Sequence, residues 1–144
     1  MEIKSKKSEF NHFSKLATEW WNKNGIFKIL HDIQLIRIKY IQDTLNKKKL
    51  NKLKILDLGC GGGLVSEGIA KLGADVTGID FIEENIRVAK KHAKQSKLEI
   101  NYIVKDFEKE RLTSKYDVII IFEVLEHLEN WKSFLEKIQK NLKP

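Results

Sequence analysis

The residues best suited to chemistry are an aspartate and four glycines at 57–63, in the pattern D-x-G-x-G-x-G. An apolar run at 54–58 precedes the glycines and predicts a short buried strand, and Val65, Ile69 and Leu72 follow them at helical spacing. Strand, glycine turn and helix begin a nucleotide-binding βαβ unit. Glycines let the backbone turn sharply and let a ligand approach closely, and the N–H groups that open the helix favour an anionic group.

A second carboxylate, Asp80, stands about 20 residues beyond Gly59, at the end of the next predicted strand. A carboxylate there can accept two hydrogen bonds from a ribose diol. The dehydrogenase fingerprint G-x-G-x-x-G would need a glycine where Leu64 stands. A tight turn without function would explain the glycines alone. The glycines, their register after the strand and Asp80 together predict a nucleotide cofactor.

The elements that must position these residues alternate between strand and helix. The periodicity predicts strands at 74–79, 100–104 and 116–122, and helices at 64–72, 82–95 and 130–141. The face of the 130–141 helix is predicted from Trp131, Leu135, Ile138 and Leu142. Such alternation is typical of an α/β fold with a parallel sheet and helices on both faces. We expect one domain, with a helical segment at 1–50 and an α/β core at 51–144.

The N-terminal segment holds two predicted amphipathic helices. The first, at 9–24, places on one face Phe10, Phe13, Ala17 and Trp20. Adjacent tryptophans at 20 and 21 are unusual on a surface helix. They are either a hydrophobic anchor onto the core, or a lid over a cofactor or a wall for an apolar substrate.

The second helix is predicted at 33–45, with Ile33, Ile36 and Tyr40 on one side and Arg37 beside them. Arg37 is either a solvated arginine or a residue whose planar fork grips a carboxylate through two hydrogen bonds.

Composition excludes several classes of protein. The 144 residues contain one cysteine, Cys60, which permits no internal disulfide and fits a reducing cytoplasm. No apolar run is long enough to span a membrane, and the polar start is unlike a signal peptide. Cys60 has no neighbouring histidine that would make it a nucleophile, and His12, His31 and His92 show no ligand spacing.

The net charge of +7 could reflect an anionic membrane face or a nucleic acid, or a general abundance of lysine. Because the lysines form no single stripe and no RNA-binding motif is present, no nucleic-acid partner is expected.

Together these motifs resemble a known family. The pattern at 57–63 resembles motif I of the class I S-adenosylmethionine-dependent methyltransferases. Four further features resemble the ubiquinone-biosynthesis O-methyltransferases, which methylate polyprenylated catechol and 2-hydroxyphenol intermediates. They are the Trp20–Trp21 pair, F-K-x-L-H at 27–31, Arg37 with Tyr40-Ile41, and F-E-V-L-E-H at 122–127. The resemblance runs from about Phe10 to Pro144 and implies a Rossmann-like class I methyltransferase fold with an N-terminal helical extension.

The resemblance also implies a set of residues that bind S-adenosylmethionine: Arg37, Asp57, Gly59, Gly61, Asp80, Asp106 and Phe122. Gly59 would line its methionine part, Asp80 would bind the ribose hydroxyls, and Phe122 would lie against the cofactor. Asp106 would face the adenine amino group.

A metal site is implied at Glu123, Glu126 and His127, which would hold a divalent ion, magnesium. Ionising a phenol of pKa near 10 at pH 7 costs about 4 kcal/mol, and a cation beside the oxygen supplies part of it. Taken without the family, the same residues also fit a solvated turn with a packed histidine. The catalytic base is not identified by the sequence.

The resemblance has one departure, at the C-terminal end. The family continues past 144 into a fifth strand and a hairpin, so the expectation is four strands in the order 3-2-1-4, with the fourth as an exposed apolar edge. Three functions remain open: O-methylation in ubiquinone synthesis, another class I methyltransferase acting on a small molecule or RNA, and a cofactor-binding module without turnover. The expected partners are a polyprenylated phenol, the missing C-terminal portion, and peripheral contacts with the inner face of the membrane or with other ubiquinone-biosynthesis proteins.

Overall fold

The computed structural model describes residues 2–144, excluding the side chains of 2–6 and 13. The prediction for Phe13 therefore lies outside the described residues. The helices are α1 (Glu2–Leu16), α2 (Lys28–Leu45), α3 (Leu64–Ala70), α4 (Glu83–Gln95) and α5 (Trp131–Gln139). The strands are β1 (Lys54–Leu58), β2 (Asp75–Asp80), β3 (Asn101–Val104) and β4 (Val118–Ile121). Short 3-10 helices lie at Ala17–Glu19 and Leu125–His127.

The four strands form one parallel sheet in the order β3-β2-β1-β4, which confirms the predicted α/β class and strand order. Leu58, at the end of β1, pairs with Ile79 on one side and with Ile121 on the other. The carboxyl ends of three strands therefore meet at one edge of the sheet, where ligands bind in open α/β folds.

Helices cover both faces of the sheet, so β1 is buried from Ile55 to Leu58. Ile55 packs with Ile38 of α2 and Ile69 of α3, whereas Leu56 packs in a second cluster with Phe134 of α5. Alternate residues of one strand thus enter opposite layers, as the two-residue period of a strand requires.

The first helix differs from its prediction because the chain leaves the helix before the tryptophans. α1 ends at Leu16, and the 3-10 turn Ala17–Glu19 leads into Trp20. Of the predicted apolar face, Ala17 is buried but Phe10 is 37% exposed. Trp20 and Trp21 instead turn towards the core, where the Trp20 indole N–H donates to Asn85 of α4 and the Trp21 indole N–H donates to Gly62 of the glycine loop.

The predicted faces of two other helices also need correction. α2 begins at Lys28 and buries Ile38 and Ile41, while Ile36 and Tyr40 are 69% and 63% exposed. In α5 the buried residues are Phe134 and Ile138. Its predicted face was wrong at Trp131 and Leu142, which are 44% and 38% exposed. Both helices have apolar residues on two faces, and packing against α3 or the sheet selects one of them.

The outer edge of β4 carries no strand among residues 2–144. A parallel bridge pairs Tyr116, just before β4, with Leu142 after α5. The chain thus returns beside β4 in parallel direction. No helix within residues 2–144 has the length and apolar character needed to cross a membrane.

Candidate functional site

The loop between β1 and α3 has a backbone that requires glycine at several positions. Gly59, Gly61 and Gly63 have φ angles of 71°, 53° and 91°. The Gly59 N–H donates to the carbonyl of Ile79 over 2.8 Å, which fixes the loop to the end of β2. A Cβ at Gly59 would lie 2.4 Å from Cγ2 of Val124. The left-handed backbone of Gly59 and the closeness of Val124 both exclude a side chain at this position.

Asp80 connects this loop to the end of β2. One carboxylate oxygen accepts the Gly61 N–H over 2.9 Å and the other accepts the Ile82 N–H over 2.9 Å. The carboxylate is buried, and burial raises its pKa above the ordinary value. Because each carboxylate oxygen has two acceptor positions, Asp80 retains capacity for further donors.

Asp57 lies buried behind the same loop and accepts the Ser66 hydroxyl over 2.6 Å. Burial, assisted by the nearby charge of Asp80, raises the pKa of Asp57 to about 6 despite the opposing Ser66 hydrogen bond. Burial also raises the pKa of the Cys60 thiol well above its usual range. A neutral, buried thiol agrees with the expectation that Cys60 is not a nucleophile.

A cavity of about 520 Å³ opens at this edge of the sheet. The structure brings to its wall all seven residues predicted to bind the cofactor: Arg37, Asp57, Gly59, Gly61, Asp80, Asp106 and Phe122. These residues come from α2, from the ends of β1 and β2, and from the loops that follow β1, β3 and β4. Phe10 and Phe81 face each other at the same cavity, with ring centroids 6.1 Å apart.

Arg37 is the charged group that α2 contributes to the cavity. Its guanidinium forms an ion pair with Glu123 and lies 5.1 Å from the ring centroid of Phe122. The Arg37 side chain is 15% exposed and that of Glu123 is 60% exposed. Arg37 is therefore the sheltered member of the pair, and Glu123 can leave it for solvent.

The three residues predicted to hold a metal do not converge. Glu123 has a φ of 56° and pairs with Arg37. Nε2 of His127 lies 3.9 Å from Glu126, and Nδ1 lies 3.7 Å from Glu9. Among the side chains that the structure describes, no three acidic, histidine or cysteine groups are placed to hold a metal ion. As arranged, these residues do not fit magnesium, because the left-handed turn at Glu123 directs that carboxylate towards α2.

The chain is similar to known methyltransferases. The family model described as "Methyltransferase domain" matches residues 49–144.

The chain belongs to this methyltransferase family.

Individual relatives support the same assignment. The "Ubiquinone biosynthesis O-methyltransferase" of Pelagibacter ubique is 46% identical to this methyltransferase, over 95% of the chain and 60% of the relative. Plantazolicin methyltransferase BpumL, solved with S-adenosylhomocysteine and a substrate analogue, superposes with a TM-score of 0.64 at 29% identity, over 99% of this chain and 59% of BpumL. Magnesium protoporphyrin IX methyltransferase from Synechocystis PCC 6803, solved with S-adenosylmethionine, shares the fold at a TM-score of 0.68 and 24% identity, over 78% of this chain and 54% of that one. The chain thus spans about 60% of the length of the curated relative.

The sequence did not reveal three polar residues beside this site. Asn85 and His92 of α4 and Glu67 of α3 contact the Trp20–Trp21 pair or its partners. Isolated polar residues on helices carry no spacing signal. The tryptophan pair was the available clue, and it left anchor and lid as alternatives.

Proposed function

We propose that this chain is the cofactor-binding part of an S-adenosylmethionine-dependent O-methyltransferase that acts on polyprenylated catechol or 2-hydroxyphenol intermediates of ubiquinone biosynthesis. The observation that carries the proposal is the convergence on one cavity of the seven residues that the resemblance assigns to the cofactor. The similarity to the Pelagibacter relative, which extends over 95% of this chain, supports the choice of substrate class. S-adenosylmethionine or S-adenosylhomocysteine is present in the solved neighbours.

The residues present fit this cofactor. The glycine loop offers close backbone approach, and Asp80 has acceptor capacity for two ribose hydroxyls. Arg37 has a planar fork suited to a carboxylate, and it is now paired with one, that of Glu123. We propose that the carboxylate of the cofactor takes the place of Glu123 on Arg37. When bound, S-adenosylmethionine supplies an electrophilic methyl group on a positively charged sulfur.

The apolar part of the cavity fits the other reactant. Phe10, Phe81, Phe107, Phe122 and Leu128 line it with Val124. Such a wall binds an aromatic ring and excludes water from the reacting groups, which strengthens local electrostatic interactions. In this proposal the chain orients the two reactants and excludes water from them. Both effects lower the activation free energy of a reaction in which two reactants must align.

Magnesium stays a prediction from the resemblance, and no step is derived through it. Holding an ion would require Glu123 to leave Arg37 and Glu126 to turn into the cavity, which it does not line. Methyl transfer by the assembled enzyme, measured with excess EDTA and with added Mg²⁺, tests this prediction. Full activity in EDTA removes the metal from the reaction.

The cofactor part of the proposal is tested by calorimetry with S-adenosylhomocysteine, using NAD as the competing nucleotide. We expect S-adenosylhomocysteine to bind and NAD not to bind. The Arg37→Lys variant should bind more weakly, because a lysine cannot form the bidentate contact. Arg87→Lys, at an exposed position of α4 outside the cavity, is the matched control. Equal affinities for all three proteins would remove Arg37 from the site.

The substrate part is tested separately, by mass spectrometry of a short-chain polyprenyl catechol incubated with S-adenosylmethionine and the chain completed by a relative's C-terminal portion. A methyl ether product supports the proposal. Product from a small unprenylated catechol or from RNA instead would favour another class I methyltransferase. Cofactor binding without any product would favour a module without turnover.

We also propose that this methyltransferase works on the inner side of the cell membrane, touching its surface through α2. The outer side of α2 exposes Ile29, Ile36 and Tyr40, while Arg37 on the same helix reaches the cavity. The positive net charge favours an anionic bilayer, where a polyprenylated phenol would reside. Co-sedimentation with phosphatidylglycerol vesicles should be lost in Ile36→Asp and kept in Glu99→Asp. Equal sedimentation of both variants would exclude this surface.

A further inference from the structure

Trp20 and Trp21 lie directly against the glycine loop. Ring atoms of Trp20 stand 2.5 Å and 2.3 Å from the positions that Cβ atoms on Gly61 and Gly62 would occupy. The Trp20 indole N–H donates to Oδ1 of the buried Asn85 over 2.8 Å. The Trp21 indole N–H donates to the carbonyl of Gly62 over 2.9 Å. The pair thus covers two consecutive loop residues and bonds to the backbone of one.

Helices α4 and α2 and the residue that precedes α2 hold this pair in place. His92 of α4 stacks on Trp21 with ring centroids 3.4 Å apart and an interplanar angle of 2°. His31 of α2 lies with Nε2 2.8 Å from the carbonyl of Trp20, to which it donates. Phe27 stacks on Trp20 at 4.1 Å between centroids.

His92 is itself oriented by a buried carboxylate. Its Nδ1 lies 2.7 Å from Oε1 of Glu67 on α3, and Glu67 is fully buried. The second oxygen of Glu67 has no hydrogen-bond partner among the described residues. A buried carboxylate with one partner is costly to keep, and its hydrogen bond to His92 fixes the plane of the ring.

We propose that Trp20 and Trp21 form a cap that holds the glycine loop in its binding conformation, and that His92, oriented by Glu67, is a positioning residue for the cap. The identity of the ligand rests on the proposed function. The contact between the cap and the loop is independent of the proposed function.

The physical need for such a cap lies in the loop. Gly59, Gly61 and Gly63 all have positive φ angles, and glycine loses more backbone freedom on ordering than any other residue. A loop left free would have to be ordered by the ligand, at the expense of affinity. Bonding Gly62 to Trp21 and covering Gly61 with Trp20 orders the loop before the ligand arrives. A simple anchor would not need contacts with the loop backbone or with the cavity, and Trp20 has both.

The test compares three variants of the full chain. Trp21→Phe keeps a ring against His92 and loses the N–H donated to Gly62. His92→Asn keeps a donor for Glu67 and loses the ring under Trp21. Trp131→Phe, at a 44% exposed position outside the cavity, is the control. Hydrogen exchange of the 59–63 amides is measured by mass spectrometry, and S-adenosylhomocysteine affinity by calorimetry, both well below each melting temperature.

We expect faster exchange at 59–63 in Trp21→Phe and His92→Asn, with exchange in β1 and β2 unchanged. We expect the dissociation constant to rise about two- to tenfold, the effect of losing one hydrogen bond or one ring contact. The control should match the parent in both measurements. Unchanged loop exchange in the folded variants would overturn the proposal, even if they melt at lower temperature. Absence of S-adenosylhomocysteine binding in the parent would count against the proposed function, while loop exchange would still decide the role of the cap.

Discussion

At the scale of single residues, the site depends on two buried carboxylates behind a glycine loop. Asp80 accepts N–H groups from Gly61 and Ile82, so it shapes the loop as well as facing the cavity. Asp57 accepts the hydroxyl of Ser66 at the start of α3. Burial raises the pKa of both groups, so each is kept at a cost in stability. Two carboxylates at one wall favour a ligand that carries positive charge.

Replacing Asp80 by alanine should weaken S-adenosylhomocysteine binding by roughly 1.5–3 kcal/mol, the range for hydrogen bonds to a charged group. Part of this loss comes from the ligand and part from the freed Gly61 N–H. Asp80→Asn, which keeps one acceptor oxygen, should lose less. Calorimetry of both variants, with circular dichroism to verify folding, measures the difference. An unchanged dissociation constant in folded Asp80→Ala would exclude the ribose role.

Asp57 should make stability depend on pH. Its pKa is about 6 in the folded protein and 3.8 when unfolded, so the folded state binds more protons between these values. Stability should therefore fall as the pH rises through this window, by about 3 kcal/mol from this group. Asp57→Asn cannot ionise and should not show this component. In urea unfolding from pH 4 to 7.5, the free energy of unfolding of the variant should increase relative to that of the parent as the pH rises. A difference that does not change with pH would contradict the raised pKa of Asp57.

At the scale of elements, α2 determines how the N-terminal segment meets the core. It buries Ile38 and Ile41 against α3 and the sheet, and it presents Arg37 to the cavity. The opposite face exposes Ile36 and Tyr40. The orientation of α2 about its own axis thus determines both which residues pack against the core and whether Arg37 lies at the cavity.

This orientation of α2 predicts that substitutions at Ile36 and Ile38 have unequal effects on stability. Ile38→Ala should destabilise the protein by about 2–4 kcal/mol, because it leaves a cavity beneath α2. Ile36→Ala, at a 69% exposed position, should change stability by less than about 0.5 kcal/mol. Denaturant unfolding of the two variants gives the comparison. Equal losses, or a larger loss at Ile36, would mean that α2 packs through the other face.

At the scale of the whole molecule, the sheet has an open side. β4 pairs with β1 alone within residues 2–144, and the chain comes back beside it only at the Tyr116–Leu142 bridge. The Pelagibacter relative is matched over 60% of its length. An unpaired apolar strand edge is a surface for self-association, and the segment that follows β4, at 122–124, lines the cavity.

Residues 1–144 as a separate polypeptide should therefore bind S-adenosylhomocysteine but methylate a polyprenyl catechol far more slowly than the chain completed by a relative's C-terminal portion. Without the strands beyond β4, water reaches the reacting groups and orientation is lost. Light scattering should show association that increases with concentration, and supplying the relative's C-terminal portion should suppress it. Rapid turnover by a monomer of residues 1–144 would show that four strands suffice.

The sequence alone determined the features that depend on local pattern. The strand at 54–58, the glycine turn and the helix predicted at 82–95 are encoded by spacing within a few residues, and the structure forms all three. Strand order followed from the resemblance. The resemblance assigned the seven cofactor residues, and those at or after strand ends converge because parallel strands end at one edge, whereas Arg37 is brought there by the packing of α2.

Tertiary structure decided what depends on contacts between distant segments. The end of α1 at Leu16 is set by the partners of Trp20 and Trp21 in α4 and the glycine loop, which lie far along the chain. The buried face of α2 is chosen by α3, because Ile36 and Ile38 are equally apolar. The resemblance implied a metal role for Glu123, and tertiary structure adds a contact that the sequence did not indicate, because a left-handed turn places Glu123 beside Arg37 of α2. A side chain's local pattern limits its candidate partners, and packing free energy summed over the whole core selects among them.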